Sequence, residues 1–242
     1  MNASSEVTCT SGQLHDTSAT PAVSVGTRAV DRYGNAYRYA QAGLAPLVVG
    51  NVLASPASEP THVTLAVKDT AVGADRILVT PGAVAVAENQ YAEGFAIISA
   101  GPGGGQRHAI DGHLAALATV EFVLRIARDD LIRVALTAAA SKVDLRANPY
   151  KGVIQAPITA LTSNPCGVAI SAIPAGQYGW VQTWGDAAVL IAGTPAIGAR
   201  IGSPGTAAGA AVVDSGVLAV IGNMRSLGVA GAWKHVYLTI AA

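Results

Sequence analysis

Ile173-Pro174-Ala175-Gly176-Gln177-Tyr178-Gly179-Trp180-Val181-Gln182-Thr183-Trp184-Gly185-Asp186-Ala187-Ala188-Val189-Leu190-Ile191-Ala192-Gly193 is the stretch that decides the fold. It gathers two tryptophans, a tyrosine and four glycines in a chain of 242 residues that holds only three tryptophans and two phenylalanines. Aromatic rings are the largest apolar units a small domain can bury, so their concentration between glycine turns marks the centre of a β core. The stretch contains almost nothing suited to acid, base or nucleophilic chemistry. It reads as a packing element.

Working outward, the same texture recurs. Arg28 to Ala40 sets Gly34-Asn35 between two β-prone runs, a hairpin signal that places Tyr37 and Tyr39 on one face of the returning strand. Short β-rich runs follow at Leu44–Leu53, His62–Val67, Arg76–Thr80, Ala83–Ala87, Tyr91–Ser99, Glu121–Ile126, Leu131–Leu136 and Val153–Gln155. The closing run Trp233–Ile240 alternates, with Trp233, His235, Tyr237 and Thr239 on one face and Val236, Leu238 and Ile240 on the other. One helix candidate stands out, His113–Ala118, and Ser141–Tyr150 reads as a polar connection. Strands separated by Gly and Pro turns predict an all-β protein of β-barrel or β-sandwich domains. Residues 1–27, rich in Ser and Thr, read as a flexible N-terminal arm. The expected division is this arm, a β-rich domain over 28–162, and a small C-terminal β domain over 163–242.

Composition narrows the function. Hydrophobic residues make up 51% and charged residues 12%, and fifteen basic residues balance fifteen acidic ones. So little charge points to surface covered by partners. The neutral balance gives no electrostatic case for nucleic acid or an anionic membrane. No apolar run is long enough to span a bilayer, and the N-terminus lacks the pattern of a signal peptide. Cys9 and Cys166 read as free thiols.

The chemical motifs are weak. Gly101–Gly105 is followed by Gln106-Arg107-His108 where a phosphate loop needs Lys and then Ser or Thr, so it reads as a hairpin loop. His108, Asp111 and His113 form the densest set of metal-ligand types; on one strand His108 points away from the other two, and a turn at Asp111-Gly112 would be needed to bring all three to one ion, so the set reads as a solvated turn. A hydrolase would need these residues to converge with Ser99. The reading is therefore non-enzymatic, with no catalytic residues, metal or cofactor. Arg28, Arg32 and Arg38, interleaved with Tyr33, Tyr37 and Tyr39, read as a strand with Arg outward and Tyr inward, and the arginines can anchor a protein partner.

Two portions resemble the capsid decoration, or head cement, proteins of tailed bacteriophages. One is Asp31–Gly43 with Leu47-Val48-Val49-Gly50. The other is Ile173–Gly193 with Gly198, Gly216–Gly222 and Val236–Ile240. The resemblance implies a virion structural protein, made in the host cytoplasm. It would sit as a homotrimer on the capsid exterior, bind the major capsid protein and stiffen the shell. Arg28, Arg32, Arg38, Trp184 and Trp233 are the expected partner-binding residues. The alternative is a tail- or fibre-associated module that recognises a receptor or host glycan by stacking on exposed Trp184 or Trp233.

Overall fold

The computed structural model describes residues 6–158 and 160–241. In chain order its elements are β1 (Glu6–Thr8), α1 (Ser11–His15), β2 (Arg28–Val30), β3 (Ala36–Ala42), β4 (Val52–Ala54), β5 (Leu65–Val67), β6 (Arg76–Thr80), β7 (Phe95–Ala100), β8 (Arg107–His113) and β9 (Phe122–Ile126). They continue with β10 (Lys142–Arg146), β11 (Lys151–Gln155), β12 (Pro165–Ala169), β13 (Tyr178–Leu190), β14 (Arg200–Ser203), β15 (Val212–Val213), β16 (Ala219–Met224) and β17 (Trp233–Thr239). The protein is all-β, as expected, and its strands close into two barrels. Among the described residues no helix is long and apolar enough to cross a membrane.

The chain divides into two compact units, Met1–Ala57 with Pro149–Ala242, and Ser58–Asn148. This differs from the expected boundary at 162/163, which falls inside the first unit. The physical reason is strand pairing: β11 and β12, on either side of that point, both pair antiparallel with β4. The second unit is an insertion between β4 and β11, strands that are themselves hydrogen-bond neighbours.

In the first unit β3, β11, β4, β12 and β13 form a ring, closed where Tyr178–Trp184 of β13 pairs with β3. Strand alternation sorts the side chains of this ring. Ala40, Ala42, Leu53, Val153, Cys166, Ala169 and Val181 point into it. Val52, Ala54 and Val168, on the other face, join Val189, Ile201, Ile221, Met224, Val236 and Leu238 in a second core. Tyr37, Tyr39 and Trp180 form a third with Leu14 and Ala29. A period of two in burial along one strand is what permits a single ring to face separate cores.

The opening stretch supplies β13, and its length lets it serve two neighbours. Its first half pairs with β3 and its second half with β17. Gly185 sits at the switch with φ +89, and a Cβ there would lie 2.1 Å from Asn35 Oδ1. Only glycine fits that backbone and that approach.

The described part of the expected arm is instead built into this unit; residues 1–5 lie outside the described residues. β1 pairs parallel with β2, Ser18 and Tyr178 exchange backbone hydrogen bonds of 3.0 and 2.9 Å, and Leu14 is buried. Apolar residues that look sparse in sequence, Val7, Leu14 and Val23, each reach the core around Trp180.

The second unit is a closed antiparallel barrel in the order β10-β5-β6-β9-β8-β7. Gly101–Gly105 lies in the hairpin between β7 and β8, as expected. Several expectations are corrected. His113–Ala118 is not helical: His113 ends β8 and Ala116 makes a β-bridge to Val86. Ser141–Tyr150 contains β10, whose alternation buries Val143 and Leu145. The runs Ala83–Ala87 and Leu131–Leu136 contribute only bridges, from Val86 to Ala116 and from Leu136 to Thr70.

Candidate functional site

In the first unit a cleft of about 940 Å³ opens between the segment Thr8–His15, the β2–β3 turn, Val49-Gly50, and parts of β12, β13 and β17. Its walls follow from local sequence. Thr10 caps α1, its backbone N–H donating to Gln13 Oε1 at 2.9 Å while its side chain accepts from Gln13 N. A five-residue helix is unstable alone. Leu14, its one buried residue, holds it against Trp180, Tyr37 and Ala29.

The β2–β3 turn is organised by one carboxylate. Asp31 Oδ1 accepts from the backbone N–H of Tyr33 at 2.8 Å and of Asn35 at 3.0 Å. Oδ2 accepts from Asn35 Nδ2 at 2.8 Å and from the Tyr37 hydroxyl at 3.1 Å. Burial pushes the Asp31 pKa up, but these hydrogen bonds, led by that from the Asn35 side chain, outweigh it and hold it below the usual carboxylate range. Burial, and then the Asp31 charge, raise the Tyr37 phenol above its ordinary value.

A lowered folded-state pKa means that folding favours the carboxylate. The Asp31 contribution is therefore complete above the unfolded value near ~4 and is lost as pH falls through the lower folded value. Asp31→Asn is expected to destabilise the first unit by about 1–3 kcal/mol at pH 7. The gap between the two proteins should narrow in thermal melts as pH drops below about 4. A gap that stays constant down to acid would show that the carboxylate charge is irrelevant to the turn.

Trp233 also lines the cleft. It is 55% exposed, yet it is fixed in place. Its Nε1–H donates to the Val49 carbonyl at 3.2 Å. Its pyrrole edge lies on Gly50, where a Cβ would come within 2.2 Å of Cδ1. Tyr33, 72% exposed, also lines the cleft, with the Arg32 guanidinium 4.6 Å from its ring centroid.

Of the expected partner-binding residues, Arg32 and Trp233 come together in this cleft. The other three lie elsewhere. Arg28 and Arg38 are half-buried cross-strand partners on β2 and β3, and Arg38 Nη1 donates to the Gly26 carbonyl at 3.1 Å, 6.0 Å from the Tyr150 ring. Trp184 is half-buried, edge-on to Tyr237 at 5.8 Å. Cys9, His15, Asp31 and Tyr33 line the cleft and are not among the expected site residues. The usable signal for the first two was Thr10-x-x-Gln13, a capping-box spacing that marks a helix start.

The reactive groups are quiet. Burial raises the pKa of Cys9 and pushes Cys166 up to about 12, so neither thiol is an activated nucleophile. His108 and His113 are buried and pointed apart in their partners: His108 Nδ1 donates to the Asp130 carbonyl at 2.8 Å, while His113 Nδ1 donates to the Leu114 carbonyl and Nε2 accepts from the Tyr91 N–H. Asp111 and Ser99 are exposed. Among the described residues no three His, Cys, Asp or Glu side chains group to hold a metal. No family model, curated protein or solved structure matches the chain.

Proposed function

We propose that the protein is a non-enzymatic virion component, a decoration protein that binds the outside of a tailed-phage capsid as a homotrimer, contacts the major capsid protein and stabilises the shell. The observation that carries this reading is the apolar surface of the second unit. Leu114 and Leu117 are each 73% exposed, and Val84 and Val120 are exposed beside them, on the two segments joined by the Val86–Ala116 bridge. On the outer face of the barrel Leu78 stands opposite Val123, both exposed. Large apolar side chains gathered where water would otherwise meet polar ones favour a protein partner. The low charge of the chain and its resemblance to head cement proteins give that partner its chemistry.

Co-sedimentation with heads from the virus that encodes the chain tests the proposal. The wild-type protein should pellet with heads and raise their melting temperature. The double substitution Leu114→Asp, Leu117→Asp should weaken binding about tenfold or more, the effect of losing an interface anchor worth ~1.4 kcal/mol. Both positions are exposed, so circular dichroism should be unchanged. Absence of wild-type binding, or full binding by the variant, would count against the reading.

A further inference from the structure

We infer that the cleft of the first unit is a binding site for a neutral saccharide. This goes beyond shell binding and does not rest on it. The starting point is the state of Trp233. An exposed indole normally samples several rotamers, yet here its N–H is committed to Val49 and its edge to a glycine that no larger residue could replace without displacing the ring. An aromatic anchored at its N–H and its edge while more than half exposed is a preorganised platform, because less ordering remains to be done when a ligand arrives. Tyr33, in the same cleft, offers a second ring through the face that Arg32 does not cover.

The charge inventory selects the ligand. The Asp31 carboxylate already accepts four hydrogen bonds from its own turn, about the capacity of two carboxylate oxygens. The Arg32 guanidinium lies over Tyr33 and donates to its hydroxyl. Asp31 is thus satisfied within its own turn and Arg32 rests on Tyr33, leaving the hydroxyls of Thr8 and Ser11 and the His15 imidazole as further polar lining. Aromatic faces with neutral donors and acceptors suit a pyranose, which presents C–H faces to stack on rings and hydroxyls to hydrogen-bond. An anionic ligand would have to draw the Arg32 guanidinium away from Tyr33, and a purely apolar one would leave the hydroxyls unpaired on binding.

The test uses the full-length protein with maltotriose, cellotriose and chitotriose as probes, each to about 10 mM, well above the ~1 mM dissociation constant of a weak site. Saturation-transfer NMR should show binding of at least one probe, with quenching of tryptophan fluorescence. Trp233→Ala and, separately, Tyr33→Ala should each weaken that binding about tenfold or more. Both side chains are exposed, so thermal melts should stay close to wild type. Trp184→Phe, outside the cleft, should bind as wild type. No transfer to any of the three sugars, or equal binding by Trp233→Ala, overturns the inference. Because free protein is used, either result is independent of whether the protein binds heads.

Discussion

A chain beginning at Arg28 is expected to lose the folded first unit while the second keeps its own unfolding transition. Residues 7–27 cover Trp180, which is 6% exposed, together with Tyr37, Tyr39 and Ala29. Removing them would also strip the backbone partners of Tyr39 and Tyr178, which bond to Thr27, Gly26 and Ser18. Loss of Leu14 alone is worth about 2–5 kcal/mol, the usual range for emptying a buried leucine site. Exposing several aromatics in addition approaches the ~5–15 kcal/mol that holds a whole domain together. Scanning calorimetry should therefore show one transition in place of two. The milder variant Leu14→Ala should lower the transition of the first unit by about 5–15 °C. A truncated protein that melts like the full chain would return residues 7–27 to the status of an appendage.

The second large effect concerns the insertion. Residues 58–148, produced alone, are expected to fold. The barrel closes through β7–β10 pairing, so it leaves no open sheet edge, and it surrounds its own core, with Ile77, Val79, Leu124 and Val143 fully buried. The reciprocal chain, with Ala57 joined to Pro149 by a short glycine-containing turn, should fold as well. The pairs Ala54–Ile154 and Leu53–Gln155 already hold the two ends as adjacent antiparallel strands, the arrangement that a tight turn connects. Each piece should give a sigmoidal melt and dispersed amide NMR signals. A molten barrel, with collapsed signal dispersion, would mean that the insertion depends on its host for tertiary packing.

Much of the architecture was readable from periodicity. β6, β9 and β17 fall where alternation and turn residues place them, and the Gly34-Asn35 hairpin forms with Tyr37 and Tyr39 buried together. What sequence hid was long-range. The insertion is invisible because Ala54–Ser58 and Asn148-Pro149 look like any other turns, and only the pairing of β4 with β11 reveals that the host resumes there. Residues 7–27 look like an arm because Leu14 and Val23 lie too far apart to form a pattern; they matter through what they touch. His113–Ala118 has helix-favouring residues, yet its position between two barrel strands overrides that local preference. The cleft was half legible. Arg32 and Trp233 could be named from their chemistry; Cys9 and His15 were marked only by the Thr10-x-x-Gln13 helix start, and Tyr33 could be placed beside them only by the fold.

The closure of the ring by β3 and β13 carries a consequence for how the chain comes to be folded. β3 emerges early in synthesis, but its partners β11 and β13 emerge only after the whole insertion has been made. In the interval Tyr37 and Tyr39 lack Trp180, and Leu53 lacks Val153 and Val181, while the strands of the inserted barrel, which pair only with one another, are all present. A barrel that folds first draws Ala57 and Pro149 together and shortens the loop the host must close, lowering the entropic cost of the late pairing. Slowing the folding of the insertion is therefore expected to expose the nascent N-terminal strands to aggregation.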